Sequence, residues 1–286
     1  MKAILSQNTY GKSGIRVLKV KRDTPVHVIK EFTVNVLLEG DFEEVHTKGD
    51  NSKVLPTDTM KNTIYALAKD HPVDSIEEFG SYLAKYFLTN NSQVTKVRVE
   101  IEEKLWHRIL TVNSSSKKSV EHDHSFIGGG NEKKTAYIVV TNNEVLINSG
   151  IKDLLILKSS GSGFENYIKD KFTTLKETSD RIFSTSVKAV WSYTNPDVNF
   201  VAVHIMLRQI LLETFSDHHS LSVQQTLYEI GKNILEVCKE VSEISLTMPN
   251  KHYLPFNLEQ FGMENNNEIF ISTDEPYGLI EAILKR

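Results

Sequence analysis

Cysteine is almost missing from this chain. Cys238 stands alone among 286 residues, which rules out an internal disulfide and a cysteine-rich metal site. Its neighbours Ile234, Leu235 and Val237 predict a buried, inert thiol. Long apolar runs are missing too: none approaches the roughly 20 residues of a membrane-spanning helix. Near the start, Ala3, Ile4 and Leu5 make too short a run for a signal peptide. The final residues, Ile283-Leu284-Lys285-Arg286, do not form a Ser-Lys-Leu peroxisomal address. A soluble, cytoplasmic protein with no membrane partner is expected. Nor is charge of one sign in excess. A formal net charge of −4 argues against nucleic acid as a partner, yet is compatible with a local basic pocket for a small anion.

Familiar cofactor motifs are absent as well. Gly128-Gly129-Gly130 lacks the G-x-G-x-x-G spacing of a dinucleotide site, and no Gly-Lys-Ser/Thr follows Gly161-Ser162-Gly163. There is no G-x-S-x-G nucleophile elbow. His122-Asp123-His124 offers two imidazoles on one side of a strand, but only Glu121 lies near enough in sequence to add a ligand. Neither a metal nor an organic cofactor is called for.

What the chain does contain is alternation. Ile15, Val17, Leu18 and Val20 stand among charged residues, and Thr24-Pro25 marks a turn. Residues 26–45 continue as a second strand in which Val28, Phe32, Val34, Val36 and Leu38 share one parity; Lys30 interrupts it and Gly40 marks a bulge or bend. A helix follows, capped by Thr57 or Asp58, and another starts at Ser75 with Phe79, Leu83 and Phe87 on its apolar face. Strands are expected at 93–105, near Ser125-Phe126 and across 134–148 with a turn at Asn142-Asn143. The Ser- and Lys-rich stretch 113–120 reads as a mobile hairpin loop.

The pattern then returns: a strand at 187–193, helices at 200–215 and 221–241, strands at 243–254 and 268–273, and an apolar segment from Leu279. Strand pair, helix pair, strand pair thus occurs twice, dividing the chain into 1–135 and 136–286 without a visible residue-by-residue repeat. The class is α+β, antiparallel, and its open sheet edges favour assembly.

Within the second half lies 157–184, too polar for core and too rich in special side chains for an ordinary loop. Phe164 can stack on a flat ring, and Arg181 presents a planar fork of donors. Gln224, near a helix start, offers both a donor and an acceptor. Lys12 and Thr57 can relay a proton if they meet, and Asn250 and His252 share one face of a strand. Each also has a plainer reading: Arg181 paired with Asp180 or Glu177, Phe164 in the core, His252 as a hydrogen-bonded structural histidine.

A resemblance connects these residues. Tyr10-Gly11-Lys12, Gly49-Asp50-Asn51-Ser52, Thr57-Asp58, His124-Ser125-Phe126 and Leu157-Lys158-Ser159 look like urate oxidase motifs. So do Thr173-Thr174-Leu175-Lys176-Glu177-Thr178, Asp180-Arg181, Ser222-Val223-Gln224 and Pro249-Asn250-Lys251-His252. Their order and spacing resemble that family over nearly the whole chain. The resemblance implies a duplicated antiparallel tunnelling fold, assembled as a barrel-forming homotetramer with active sites at subunit interfaces. It implies cofactor-free oxidation of urate by dioxygen to 5-hydroxyisourate and hydrogen peroxide. Phe164 would stack on the purine, Arg181 and Gln224 would clamp its edges, and Val223 and Leu175 would shape the pocket. Thr57 and Asp58 would come from the neighbouring subunit, Thr57 joining Lys12 and His252 in a catalytic relay. Asn250, with Thr57, would hold dioxygen and later water. A purine- or pterin-binding enzyme of the same fold, of cyclohydrolase or aldolase type, remains the alternative; such enzymes anchor the ring with a glutamate, and the hydrolase requires zinc.

Overall fold

The alternating parity of the first strands becomes a buried face. The structure, a computed structural model, describes residues 3–113 and 117–286. It divides into two compact units, Met1–Gly150 with Pro196–Val201, and Ile151–Asn195 with Ala202–Arg286. Both are antiparallel and sheet-rich, so the α+β class holds.

In the first unit, β1 (Tyr10–Lys21), β2 (Val28–Gly40), β3 (Val94–Val112) and β4 (Ser119–Thr141) follow one another across the sheet. Phe32, Val34, Val36 and Leu38 of β2 are all buried, beside Val97, Val99 and Ile101 of β3. Lys30, which broke the parity, pairs at 2.8 Å with the buried Glu103. The register shifts between Glu39 and Gly40, the bulge expected there. Helices α2 (Thr57–Asp70) and α3 (Ile76–Thr89) bring Met60, Ile64, Phe79, Leu83 and Phe87 into the core. At Gly80 a Cβ would meet Ile138 Cδ1 at 2.5 Å, so glycine permits the close approach of α3 to the sheet. Ser75 caps α3 by accepting from Glu78 N.

Three local expectations are corrected here. Residues 43–48 form a short helix, α1 (Glu43–Lys48), rather than the end of a strand; Glu43 and Glu44 suit its first turn and Lys48 its last. Neither Thr57 nor Asp58 caps α2: Pro56 precedes it, and Thr57 is already its first helical residue. Strands β3 and β4 run well beyond 105 and around Ser125, paired as far as Val112 with Ser119. Polar residues on both faces of that distal hairpin hid it from a period-two reading. The expected mobile loop at 113–120 falls in part on residues 114–116, outside the described residues.

The second unit takes up within β5 (Val145–Lys158) and continues through β6 (Phe183–Tyr193), α4 (Phe200–Asp217), α5 (Val223–Val237) and β7 (Val241–Thr247). The chain then forms β8 (Asn250–Pro255), β9 (Phe270–Gly278) and β10 (Glu281–Lys285). Strand β6 pairs with β7 and β8, β7 with β10, and β8 with β9. Phe183, Val187, Trp191, Leu207, Leu227 and Ile244 are part of its buried core. Gly231 on α5 repeats the role of Gly80: a Cβ there would lie 2.8 Å from Leu284 Cδ1. The expected helix 221–241 ends early, and the expected strand 243–254 is interrupted at Met248-Pro249, where proline cannot donate to a ladder. Cys238 is buried, and burial pushes its thiol up to about 11. Among the described residues no helix is long and apolar enough to cross a membrane.

Candidate active site

Lys12 sits on β1 opposite Val36, immediately before a register shift that ends at Ile15. A bulge at such a point re-aims side chains, and here Asn35 Oδ1 secures it by accepting from Gly14 N at 2.8 Å. Two residues earlier, the Tyr10 hydroxyl holds both polar groups of Leu55, accepting from its N–H at 3.0 Å and donating to its carbonyl at 3.4 Å. Leu55 and Pro56 lead directly into Thr57. One phenol therefore ties the strand of Lys12 to the first turn of α2. Burial of that phenol raises its pKa, keeping it neutral and able to donate. Asp58 is bonded by Lys61 and by Asn62 Nδ2. The Lys61 hydrogen bond holds its carboxyl below the usual range, and the charge of Lys12 adds a smaller pull.

In the second unit the stretch 159–182 has little regular structure but is laced together. The Asp180 carboxylate accepts from Ser160 Oγ and Gly161 N, both at 2.8 Å, and from Ser162 N at 3.4 Å. Its pKa lies below the carboxylate norm, chiefly through the Ser160 hydroxyl. Arg181 N donates to Ser162 O at 2.7 Å, and Phe164 and Thr178 exchange main-chain bonds of 2.8 and 3.2 Å. The Arg181 guanidinium thereby lies 5.4 Å from the Phe164 ring centroid. Tyr167 stacks on the same ring at 4.9 Å.

The plainer reading of Arg181 does not hold. Asp180 is occupied as above, while Glu177 pairs with Lys169 at 3.1 Å and accepts from Asn166 N. Arg181 Nε is buried with no hydrogen-bond partner among the described residues, and burial lowers the guanidinium pKa. A cation so placed stays charged and is left with donors to offer.

A cavity of about 340 Å³ gathers Phe164, Leu175, Arg181, Asn250 and His252. This is within the size range of small-molecule sites. Asn250 and His252 reach it from alternate positions of β8, as their spacing required. Val223 and Gln224 are not among its lining residues. Val223 is a buried member of the core, whereas Gln224 is exposed at the second position of α5. Their main-chain N–H groups, in the first turn, have no intrahelical acceptor. Lys12, Thr57 and Asp58 belong to the first unit. For His122 and His124, the rings meet edge to face at 4.6 Å, and His27 lies 5.7 Å from His124. Among the described residues no group of three or more His, Cys, Asp or Glu is placed to hold a metal ion.

A model of the family Uricase matches residues 8–139 and 147–281. The chain is 43% identical to the uricase of Arthrobacter globiformis over 285 residues, covering 100% of this chain and 91% of that protein. The uricase of Dictyostelium discoideum is 40% identical, with 99% and 98% covered. The chain belongs to the uricase family. Solved structures of the family agree in fold. The crystal structure of the Arthrobacter globiformis uricase superposes with a TM-score of 0.93, covering 100% of this chain and 96% of that one. Urate oxidase from Bacillus sp. TB-90 superposes with a TM-score of 0.85 at 25% identity, covering 98% and 100%. The family match runs through both units and includes every candidate residue from Lys12 to His252. The matches are to uricases, and the pterin alternative is not favoured. Three supporting features escaped the sequence reading: the Tyr10 hydroxyl, the Asp180 turn, and the hydroxyls around Ser220. Of these, only the spacing Ser222-x-x-Gln225 carried a visible signal, that of a capping box.

Proposed function

We propose that the chain is a urate oxidase whose recognition site is the cavity around Phe164 and Arg181. Urate, dioxygen and water become 5-hydroxyisourate and hydrogen peroxide: two electrons leave the purine and dioxygen receives them. The observation that carries this reading is the half-buried Arg181, with a buried and unspent Nε, beside the ring of Phe164 in a cavity that also holds Asn250 and His252. Phe164 stacks on the purine plane, with Leu175 at its margin. Arg181 clamps one edge, and Gln224, with the first-turn N–H groups at Val223, serves the other. Urate is an electron-rich anion, and losing a further proton increases its reducing power. Lys12, Thr57 and His252 form the relay that moves that proton. Asn250 and Thr57 hold dioxygen, and afterwards water, over the ring. The site has only to bind, orient, deprotonate and exclude bulk water, with no added cofactor in this scheme.

The same reading makes the chain a duplicated tunnelling fold with repeats 1–135 and 136–286. Four copies close a barrel, and Thr57 and Asp58 reach each cavity from a neighbouring subunit. Exposed apolar side chains on the recognition stretch support such burial: Ile168 is 95% exposed, Phe172 77% and Leu175 58%. The test is urate consumption in air, followed by loss of its ultraviolet absorbance and by peroxide release, with and without a strong chelator. Chelator-insensitive turnover with peroxide is expected. A folded protein that leaves urate intact, or one silenced by the chelator, overturns the reading.

A further inference from the structure

The structure assigns a positioning role to a pair of fully buried hydroxyls. We infer that Ser220 and Thr226 fix the start of α5 against the turn at 161–163, holding Gln224 in register with Phe164 and Arg181. The inference rests on the urate clamp proposed above.

Three segments meet here. Ser220 forms a parallel bridge with Ser162. Its N–H donates to Gly161 O at 2.9 Å, and its carbonyl accepts from Gly163 N at 2.8 Å. Ser162 O in turn accepts from Arg181 N, and Phe164 follows directly after Gly163. The main chain of Ser220 is thus committed to the turn at 161–163, which runs into Phe164 and whose Ser162 carbonyl holds Arg181 N. Its side chain is committed to the helix: Thr226 Oγ1 donates to Ser220 Oγ at 2.6 Å, and Ser220 Oγ donates to Ser222 O at 3.1 Å. Both residues are fully buried. Gln224 lies between Ser222 and Thr226 on the same first turn.

Ordinary helix capping does not account for this pair. Ser222 Oγ already accepts from Gln225 N at 3.1 Å, and Gln225 Oε1 accepts from Leu221 N at 3.0 Å. The cap bonds at Gln225 N and Leu221 N are made without Thr226 and Ser220. What their bond adds is a fixed distance between the element carrying Gln224 and the turn that positions Phe164 and Arg181. A planar substrate held at opposite edges is sensitive to that distance.

A double-mutant cycle of Thr226→Val and Gln224→Ala tests it, using the full-length protein. Urate binding is measured without dioxygen, where chemistry cannot intervene, followed by KM, kcat and Tm. Thr226→Val should raise Kd and KM about tenfold with a smaller change in kcat, and Thr226→Ser should restore binding to within about twofold. In the Gln224→Ala background the same Thr226→Val change should fall below about twofold, because the residue it acts through is gone. An equal effect in both backgrounds, or a fall in Tm with Kd unchanged, overturns the proposal. Ser220→Ala gives the same readouts if Thr226→Val fails to fold. The Gln224→Ala single variant checks the clamp by itself: if it binds urate as tightly as the parent, the clamp reading fails, independently of the coupling measured for Thr226.

Discussion

The two units hold their candidate site residues, Lys12 with Thr57 and Phe164 with Arg181, by different means. In the first, Lys12 and Thr57 ride on regular elements, a strand at a bulge and the opening turn of a helix, joined by the Tyr10 phenol. In the second, Phe164 and Arg181 lie on a stretch with almost no repeating structure, shaped by the Asp180 carboxylate and by main-chain bonds. Proton transfer is lost with small errors in distance, which favours rigid scaffolds. Recognition of a flat anion asks for a particular outline, which an irregular segment can trace if enough hydrogen bonds fix it. On the proposed roles, the difference separates the expected consequences of mutation: Lys12 and Thr57 should govern kcat, and Phe164 and Arg181 KM.

Lys12→Met is the strongest test of that division. Loss of the proposed relay base should lower kcat by about 10²–10⁴ while anaerobic urate binding changes little. A large rise in KM with kcat intact would move Lys12 to the recognition side. Arg181→Gln should act in the opposite sense, weakening urate binding by about 30- to 150-fold through loss of a charge-assisted pair, about 2–3 kcal/mol. Steady-state kinetics on this variant should show KM bearing most of the change.

Tyr10→Phe sharpens the comparison, since it removes only the hydroxyl that holds Leu55. The turn before Thr57 is then set less firmly, and kcat should drop about three- to tenfold with KM almost unmoved. The smallest effect is expected far from either set. Burial raises the pKa of Glu77, whose carboxylate accepts from Ser149 Oγ at 2.6 Å. Between its unfolded value and that raised folded value, the native chain holds the proton more tightly, so stability declines as pH rises through the window. Glu77→Gln removes this dependence. Its Tm advantage over the parent should grow as pH is raised from about 5 to about 8, and calorimetry across that range checks it.

Much of this was legible from residue order. The β2 parity, the Ser75 cap and the Asn142-Asn143 turn are local patterns that tertiary packing did not override. The helical turn at Glu43, the long distal hairpin of β3 and β4, and the break at Pro249 were harder to read. Each depends on what a short segment packs against or pairs with, which period alone does not encode. For the site, side-chain chemistry marked out Phe164, Arg181, Asn250 and His252, and the fold lines one cavity with them. Apart from the Ser222-x-x-Gln225 spacing, the shell behind them left no visible pattern in the residue order. Asp180 reads as a partner for Arg181 until its oxygens are seen on Gly161 and Ser160, and the role of Ser220 is visible only once its partners are known.

The lone thiol has a practical side. A group that titrates at about 11 is ionised in about one molecule per thousand at pH 8, and only the ionised form attacks electrophiles or oxidises readily. Cys238 should therefore withstand the peroxide released by the proposed reaction. It should also ignore maleimide and similar reagents, so one cysteine introduced on the surface would be the sole labelling point. A fluorophore, a polymer or an electrode tether can then be attached at a chosen residue with the native sequence otherwise untouched.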